Sequence, residues 1–346
     1  MIDLSIHDYD VSGSSESDRV PASAALQHEL GMQQATAGNT REARTRISVD
    51  EPRRVFKTKL GAIYCGKAED ALASGVMRRY RSKVQLVLTS PPFPLNRKKK
   101  YGNLQGEEYI RWLSSFGSLL KDYLRPDGSI VVEVGNGWEP GHPTMSTLAI
   151  RSLLGLLDAG SFSLCQQFVS HNPARLPSPA QWVTVERIRV KDSFTHIWWM
   201  SPARRPKADN RRILKPYSDS MKKLLETGKY NAGARPSQHH IGKKSFLTDN
   251  SGAIPPNVIS VSNTNSLDPY QKYCRQHDLP IHPARMASEI ADFFIKFLTE
   301  PGDLVLDPFA GSNTTGAVAE RLGRRWIAIE PNSEYICGSK GRFENT

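Results

Sequence analysis

Two short segments far apart in the chain constrain its fold more than any other feature. Residues 89–93 read Thr-Ser-Pro-Pro-Phe and follow an apolar run over 84–88. Residues 307–316 read Asp-Pro-Phe-Ala-Gly-Ser-Asn-Thr-Thr-Gly and follow a second apolar run over 304–306. Short apolar runs rich in β-branched residues predict buried strands. Both segments are therefore expected at the carboxyl edge of a sheet, where open α/β sheets bind their ligands.

Helical and strand patterns alternate through the chain from about residue 56. Ile110, Leu113, Phe116 and Leu120 recur at the spacing of one buried helix face. Such alternation predicts an α/β fold. We predict a turn at 125–128, helices over 68–80, 107–124, 146–159, 218–226, 288–299 and 314–322, and strands over 63–64, 84–88, 129–134, 162–169, 194–200, 304–306 and 326–329.

The charge balance favours a polyanionic partner. Lysine and arginine number 46 against 35 acidic residues, a formal net charge of +11. Most of the excess lies between residues 203 and 244, where twelve basic side chains accompany three acidic ones and prolines interrupt the pattern. A solvated linker is the alternative interpretation of such a segment. Its size and sign suit a region that reads DNA better.

Composition also argues against several classes of protein. The four cysteines are scattered without a Cys-x-x-Cys pair, so we predict neither a disulfide framework nor a bound metal. No run approaches the roughly 18 apolar residues of a membrane span. Residues 1–50 lack the apolar core of a secretory signal. We expect a soluble cytoplasmic protein whose residues 1–55 form a disordered or weakly ordered tail, with a short helix over 24–32.

Taken together, the two loops resemble those of amino-group DNA methyltransferases that use S-adenosylmethionine. The Ser-Pro-Pro-Phe form, placed ahead of the cofactor loop, is similar to the β-ordered cytosine-N4 modification enzymes of bacterial restriction systems. The similarity covers about residues 56 to 345, including segments at 98–103, 176–179 and 282–285. It implies a Rossmann-like sheet, mostly parallel with one antiparallel strand, in which the catalytic half precedes the cofactor half.

Four regions are expected from the resemblance and the charge pattern. After the tail over 1–55 come the catalytic half over 56–202 and a small, loop-rich target-recognition region over 203–280. The cofactor-binding half follows over 281–346.

The cofactor loop suits the chemical groups of S-adenosylmethionine. Gly311 lets the backbone approach the ligand, and the N–H groups that begin the next helix can bind its carboxylate. Asp307 can face its ammonium group, and Phe309 can pack along it. Glu330 ends the next strand, where an acid can bind two ribose hydroxyls. The resemblance adds the following expected contacts: Thr89, His282, Pro283, Pro308, Ala310, Ser312, Asn313, Thr314 and Thr315.

Taken alone, a glycine-rich turn between strand and helix is also consistent with a phosphate or no ligand, although the missing lysine excludes a P-loop. One position departs from the family pattern, because Lys67 follows Gly66 where an acid commonly contacts the adenine amine. A lysine cannot accept that hydrogen bond. Glu69, Asp70 or the backbone would have to replace it, and we leave the contact unassigned.

The Ser-Pro-Pro-Phe loop suits catalysis on an exocyclic amine, whose lone pair is delocalised into the base. The Ser90 hydroxyl and the Pro91 carbonyl are two acceptors that can localise it, Pro92 stiffens the loop, and Phe93 can stack on the base. Serine ahead of Pro-Pro favours cytosine N4 over adenine N6 within the family. An ordinary rigid turn is the alternative for this segment alone. Methylation of cytosine C5 is disfavoured because the chain has no Pro-Cys pair.

The amine of a duplex base is paired, so we expect the target base to leave the stack while phosphate contacts offset the cost. The residues predicted to contact DNA are Arg97, Lys98, Lys99, Lys100, Arg204, Arg205, Arg211, Arg212, Lys243 and Lys244.

The sequence thus predicts a site-specific methyltransferase that modifies cytosine N4 in double-stranded DNA. By resemblance it protects that DNA from a companion restriction endonuclease, as a monomer or homodimer in a prokaryotic cytoplasm near the nucleoid. An adenine-N6 enzyme, a DNA-binding regulator without catalysis and an RNA methyltransferase are the alternatives. The recognition sequence cannot be derived without geometry.

Overall fold

The computed structural model describes residues 51–93, 104–262 and 268–344. These residues belong to one compact unit that spans 48–346. The predicted tail up to residue 50, with its helix over 24–32, lies outside the described residues, as do Arg97, Lys98, Lys99 and Lys100. No helix in the described ranges is long and apolar enough to cross a membrane.

The secondary structure of the described residues alternates between strands and helices. The strands are β1 (Arg53–Lys57), β2 (Gly61–Cys65), β3 (Val84–Thr89), β4 (Leu124–Val134), β5 (Ser163–His171), β6 (Phe194–Ser201), β7 (Gly233–Ala234), β8 (His240–Ile241), β9 (Val258–Ser260), β10 (Leu304–Asp307) and β11 (Arg325–Glu330). The α-helices are α1 (Ala68–Ala73), α2 (Gly106–Lys121), α3 (Leu148–Gly160), α4 (Asp219–Thr227), α5 (Pro269–Gln276), α6 (Ser288–Leu298), α7 (Thr314–Arg321) and α8 (Ser333–Ser339).

Nine strands form one mixed sheet in the order β1-β2-β11-β10-β3-β4-β6-β5-β9, and β7 pairs with β8 in a separate hairpin. The strands from β2 to β4 run parallel, and β6 is antiparallel to both of its neighbours. The predicted parallel sheet with one antiparallel strand is therefore confirmed. At the edge, β1 adds a further antiparallel pairing with β2.

The order of the sheet places the predicted loops side by side. β10 lies between β11 and β3, and Leu306 pairs with Val87 in parallel register. All six residues of β3 and all four of β10 are buried, as expected for central parallel strands covered on both faces. Both strands consequently end at the same edge of the sheet.

Helices cover the two faces of the sheet and form two apolar cores. On one face α1, α2 and α3 bury Tyr109, Phe116 and Leu156 against the strands. On the other face, α6 contributes Phe294 and α7 contributes Val318 to a second core that includes Trp326 of β11. Two tryptophans of β6, Trp198 and Trp199, are buried and belong to these cores.

Local interactions explain where elements differ from prediction. The helix predicted over 68–80 ends at Ala73, because the Ser74 hydroxyl donates to the Ala71 carbonyl at 2.7 Å and competes with the helix. A single 3-10 turn, Arg78–Tyr80, follows. The turn predicted at 125–128 is an irregularity inside β4, because the pairing with β3 jumps from Leu124 to Ser129. Six of the strands and α-helices named above were not predicted: β1, β7, β8, β9, α5 and α8.

Candidate functional site

The two predicted loops meet at the carboxyl edge of the sheet. Thr89 ends β3 and Asp307 ends β10, and the Thr89 hydroxyl donates to Asp307 Oδ1 at 2.7 Å. The Thr315 hydroxyl, from the first turn of α7, donates to the Leu88 carbonyl at 3.5 Å. The structure therefore joins segments that are 218 residues apart.

The Ser-Pro-Pro-Phe loop rests on the residues that follow β4. The Ser90 hydroxyl donates to the Glu133 carbonyl at 3.4 Å. The Phe93 ring covers Gly135 so closely that a Cβ on that glycine would lie 2.4 Å from the ring. Pro91 is buried, whereas Pro92 and Phe93 are half-buried. A bare backbone at Gly135 thus supports the half-buried Phe93 ring.

Glu133 is a buried acid beside the catalytic loop that sequence reasoning missed. Its Oε1 accepts a hydrogen bond from the Thr195 hydroxyl at 3.0 Å. Burial raises the pKa of its carboxyl to about 7, although hydrogen bonds from Thr195 and Ser90 and the charge of Arg175 oppose the rise. An acidic residue inside an otherwise apolar strand (Ile130 to Val134) was the signal that could have revealed it.

The raised pKa of Glu133 predicts a pH-dependent stability. Native Glu133 binds its proton more tightly than the unfolded chain, so its contribution to the free energy of unfolding is full below the ordinary pKa of 4.5 and is lost as pH rises to about 7. Glu133→Gln cannot ionise. We expect the variant to gain up to about 3 kcal/mol over wild type between about pH 5 and about pH 8, measured by urea unfolding.

Glu108→Gln, at an exposed position of α2, is the matched control for that measurement. Its stability difference from wild type should not change over the same pH range. A Glu133→Gln difference that is constant with pH, or that falls as pH rises, would contradict a buried carboxyl with a raised pKa.

Asp307 holds the start of the cofactor loop as well as the catalytic loop. Its Oδ1 also accepts from the Phe309 backbone N–H at 3.1 Å. Burial raises the pKa of Asp307 to about 6 against the hydrogen bonds of Thr89, Thr315 and Phe309. Phe309 itself packs on two rings of α2, Trp112 at 5.4 Å and Phe116 at 5.0 Å between ring centroids. Phe309 therefore anchors the cofactor loop to the apolar core. This structural role comes in addition to the cofactor contact that the sequence predicted for it.

Glu330 ties the cofactor loop to the end of β11. Its Oε2 accepts from the Gly311 N–H at 2.8 Å, and its Oε1 accepts from the Asn332 N–H at 2.9 Å. Burial raises the pKa of Glu330 to about 7. Each carboxylate oxygen can accept further hydrogen bonds, so these contacts leave capacity for hydroxyl donors.

His282 covers the glycine of the cofactor loop. Gly311 has a φ of +49°, and a Cβ there would lie 3.0 Å from His282 Nε2, so only glycine fits without strain. The His282 ring packs edge-on against Tyr335, with centroids 4.6 Å apart. Burial lowers the pKa of His282 to about 4, which keeps the ring neutral at physiological pH. The following residue, Pro283, is exposed.

The first turn of α7 offers free donors next to this glycine. The Asn313 N–H donates to the Ala310 carbonyl at 2.7 Å. The N–H groups of Thr314 and Thr315 have no acceptor among the described residues, as expected at a helix start. A helix N-terminus beside a backbone-lined glycine fits a ligand carboxylate. The residues present therefore suit S-adenosylmethionine. Pro308 and Ser312 lie in the same loop, and Ser312 is buried.

Arg342, whose side chain is 9% exposed, supports the cofactor loop, and sequence analysis did not identify it. Arg342 Nε donates to the Ser312 carbonyl at 2.8 Å, and its two terminal nitrogens donate to the Asp268 carboxylate at 2.9 Å each. Arg342 Nη2 also lies 3.2 Å from the Ser312 hydroxyl. The planar guanidinium thus clamps Asp268 to the cofactor loop in a bidentate geometry.

Removing the Arg342 clamp should weaken folding and cofactor binding together. Arg342→Met leaves the half-buried Asp268 with only the longer ion pair to Arg285, at 3.7 Å, among the described residues. We therefore expect the free energy of unfolding to fall by about 2 kcal/mol and the affinity for S-adenosylmethionine to fall as well. Urea unfolding and calorimetric titration measure the two effects. The double variant Asp268→Leu with Arg342→Met should recover part of the stability, whereas additive losses would contradict the pairing.

The region of the unassigned adenine contact is visible in the structure. Lys67 is exposed and precedes α1, and the Gly66 N–H donates to the Glu330 backbone carbonyl at 3.2 Å. Glu69 and Asp70 lie in the first turn of α1 and are half-buried. Neither acid has a resolved contact that selects it as the adenine acceptor, so the assignment stays open.

The structure does not bring the arginines predicted to bind DNA near the catalytic loop. β6 is antiparallel, so the chain after Ser201 emerges at the amino edge of the sheet. Arg211 pairs with Asp209 at 2.8 Å, and Arg212 donates to the Thr299 carbonyl at 2.7 Å, just ahead of β10. Arg204 and Arg205, exposed, belong to the same connection. We do not carry these four residues into the proposed DNA interface.

The stretch predicted as one target-recognition region, 203–280, has three parts. Its first part, with Arg211 and Arg212, packs at the amino edge. The β7-β8 hairpin follows and leads to Lys243 and Lys244, which are both exposed. The last part, α5, packs against α8 and so contacts the cofactor half. The assignment of Lys243 and Lys244 to DNA stays a prediction.

Comparison with known proteins finds DNA methyltransferases that are similar to this chain in sequence and in fold. A family described as DNA methylase matches residues 84–340. The type II methyltransferase M.PvuII of Proteus hauseri is 44% identical over 290 residues, which cover 83% of this chain and 85% of that protein. The solved structure of the cytosine-N4-specific PvuII DNA methyltransferase superposes with a TM-score of 0.66 at 38% identity, over 83% of this chain and 87% of its own. The M1.HpyAVI–SAM complex, with a TM-score of 0.50 and 18% identity over 82% of this chain and 100% of its own, shares the fold.

Proposed function

The chain belongs to the family of DNA methylases, and from this premise we propose that it transfers a methyl group from S-adenosylmethionine to the N4 amine of a cytosine turned out of duplex DNA. The hydrogen bond between Thr89 and Asp307 carries this proposal, because its two side chains, with Oγ1 and Oδ1 2.7 Å apart, begin the catalytic loop and the cofactor loop. A donor site and an acceptor site that share one buried contact suit direct transfer between two bound substrates. The relative M.PvuII, whose solved structure is named cytosine-N4-specific, supports the choice of atom.

The cofactor half supplies a binding group for each part of the cofactor. S-adenosylmethionine, when bound, supplies an electrophilic methyl group on its sulfonium. The free N–H groups of Thr314 and Thr315 hold a carboxylate, and Asp307 faces an ammonium group. Glu330 accepts hydrogen bonds from ribose hydroxyls. Neutral His282 closes the pocket over Gly311 without adding a positive charge near a cation.

The catalytic loop prepares the amine for attack. The Ser90 hydroxyl and the Pro91 carbonyl accept hydrogen bonds from the two N4 hydrogens, which localises the nitrogen lone pair towards the methyl donor. Pro92 fixes the direction of that carbonyl. Phe93, supported by the bare backbone of Gly135, stacks on the extruded ring and holds its plane. The weak 3.4 Å contact of Ser90 with the Glu133 carbonyl leaves the hydroxyl able to turn towards the base.

A product analysis tests this function directly. The protein is incubated with methyl-tritiated S-adenosylmethionine and unmodified duplex DNA, and the DNA is digested to nucleosides. We expect the label in N4-methylcytosine. Label in N6-methyladenine would identify an adenine enzyme, and no label in DNA would indicate a binding protein without catalysis. The same assay with RNA should give no transfer. Sequencing of DNA from cells that express the chain then maps the modified cytosines.

We further propose that the modification protects DNA from a companion endonuclease, as in a restriction system. M.PvuII is a type II methyltransferase, which supports the assignment. DNA from expressing cells is expected to resist type II endonucleases whose sites contain the mapped cytosine. Complete cleavage of that DNA would contradict a protective role. Light scattering during gel filtration distinguishes the monomer from the homodimer.

A further inference from the structure

The connection between β5 and β6 lies at the same edge of the sheet as the catalytic loop. β4 ends where Val134 pairs with His196 of β6. The pairing of β5 with β6 continues for two more residue pairs at this edge, as far as His171 with Phe194. The connection closes at its base, where the Asn172 N–H donates to the Ser193 carbonyl at 2.7 Å. We call residues 172–193 the rim loop.

The rim loop carries the two most exposed large apolar side chains of the described residues. Val190 is 86% exposed and Leu176 is 79% exposed. Two further apolar residues of the same loop, Val185 and Ile188, are 67% and 58% exposed. A cluster of exposed apolar side chains in one loop is a sign of an interaction site.

One lysine holds the two arms of the rim loop together. Lys191 Nζ donates to the carbonyls of Pro173 and Arg175, at 3.1 Å and 3.3 Å. Leu176 follows Arg175 and Val190 precedes Lys191. Leu176 and Val190 are therefore sequence neighbours of residues that contact each other across the two arms of the loop, and we call this pair the apolar tip.

Hydrogen bonds connect the tip to the carboxyl edge of the sheet, beside the catalytic loop. Arg175 donates to the Phe194 carbonyl at 3.3 Å, and Asn136 donates to the Asp192 carboxylate at 3.0 Å. Asn136 directly follows Gly135, on which Phe93 rests. Arg175 is also close enough to influence the pKa of Glu133, whose carbonyl accepts from Ser90. The apolar tip consequently stands beside the loop that would receive an extruded base.

The charges around the tip select the partner. The rim loop contains four basic residues against two acids, and both acids are engaged, Glu186 with Gln181 at 2.7 Å and Asp192 with Asn136. The basic residues are Arg175, Arg187, Arg189 and Lys191. An apolar tip in a loop with an excess of positive charge matches duplex DNA, which presents phosphates outside and stacked apolar bases inside.

We propose that Leu176 and Val190 form a wedge that enters the base stack of DNA at the position vacated by the target cytosine. This inference rests on the proposed function, since only an enzyme that extrudes its base leaves such a gap. Opening a base pair costs stacking and pairing energy, and an apolar side chain that fills the gap replaces part of the lost stacking. The wedge acts on the duplex and does not touch the reacting atoms.

A duplex that is already open at the target position provides the decisive test. Two oligonucleotide duplexes contain the mapped target cytosine, one opposite guanine and one opposite an abasic residue. Leu176→Ala with Val190→Ala is expected to bind the paired duplex at least about tenfold more weakly than wild type and to lower the single-turnover rate by a similar factor. On the abasic duplex, where extrusion needs no unpairing, the binding of the variant should return to within about threefold of wild type.

Leu154→Ala is the matched control, because Leu154 is an apolar side chain of α3 that is 54% exposed and belongs to another element. It should match wild type on both duplexes. Equal losses of the double variant on both duplexes would indicate an ordinary contact surface and would overturn the wedge, as would no loss on either. Unchanged thermal unfolding and unchanged affinity for S-adenosylmethionine establish that the double variant is folded. Absence of methyl transfer by wild type would instead overturn the proposed function.

Discussion

Replacing Ser90 by alanine is expected to lower the rate of methyl transfer by about 100- to 1000-fold while the affinity for S-adenosylmethionine stays within about threefold of wild type. The reason is that the hydroxyl is one of the two acceptors that we propose for the N4 hydrogens. Most of the proposed cofactor contacts lie on or next to β10, α7 and β11, and none of them uses the Ser90 hydroxyl. Single-turnover measurements with saturating DNA and cofactor isolate the chemical step from binding.

Ser115→Ala provides the control for the serine substitution. The Ser115 hydroxyl donates to the Trp112 carbonyl within α2 and is exposed, so its loss should leave the rate unchanged. Ser90→Thr should retain part of the activity, because it keeps a hydroxyl at the same position. If Ser90→Ala turned over at the rate of wild type, the serine would have no role in localising the lone pair, and the catalytic assignment of the loop would fail.

Asp307→Asn is expected to weaken S-adenosylmethionine binding by about 30- to 150-fold, which corresponds to the loss of one charged hydrogen bond of about 2 to 3 kcal/mol. The substitution keeps an oxygen that can accept from Thr89 and from the Phe309 N–H. It removes the negative charge that we propose to face the ammonium group. The transfer rate at low cofactor concentration should fall by the same factor.

The pH dependence of cofactor affinity separates this charge effect from a general loss of structure. The pKa of Asp307 is raised to about 6 by burial, so wild-type affinity should fall as pH drops through about 6, where the carboxylate takes up a proton. Glu330 titrates nearby, with a pKa raised to about 7. The Asp307→Asn variant should lose only the part of the pH dependence due to Asp307.

Folding gives an independent check on the same variant. A native pKa above the unfolded one means that ionised Asp307 lowers stability above about pH 6, so Asp307→Asn should be at least as stable as wild type at about pH 8. Asp122→Asn, at a side chain that is 58% exposed, should change neither affinity nor stability. A variant that bound the cofactor normally would contradict the ammonium contact of Asp307.

The central strands of the sheet could be predicted from the sequence, because they are buried and therefore consist of nearly continuous apolar runs. β3, β10 and β11 were each predicted to within about one residue. β1 and β9 were not predicted, because they lie at the sheet edges, where half-exposed strands such as Arg53–Lys57 lack a continuous apolar signal. α5 was missed because only Tyr270, Gln271 and Cys274 of its eight residues are buried, which gives too short a pattern.

The site residues that could not be predicted from the sequence were missed for a different physical reason. Motif residues such as Ser90 and Gly311 could be assigned from chemistry, because each loop carries its own chemical groups. Glu133 and Arg342 act through partners distant in sequence, and only folding places Arg342 beside Ser312. Basic residues between 203 and 244 were assigned to DNA from charge alone. Charge does not reveal that an antiparallel strand delivers Arg212 to the opposite edge of the sheet.

The sheet order has a consequence for how this protein is made. β10 and β11, from the last part of the chain, fill the gap between β2 and β3, which are synthesised first. While the ribosome is still translating, β2 and β3 each have an open hydrogen-bonding edge, a feature that promotes aggregation of nascent chains. A message truncated ahead of β10 would yield a polypeptide with a catalytic loop and no partner strand for it. Methyl transfer can therefore begin only after β10 and β11 have been synthesised and have entered the sheet.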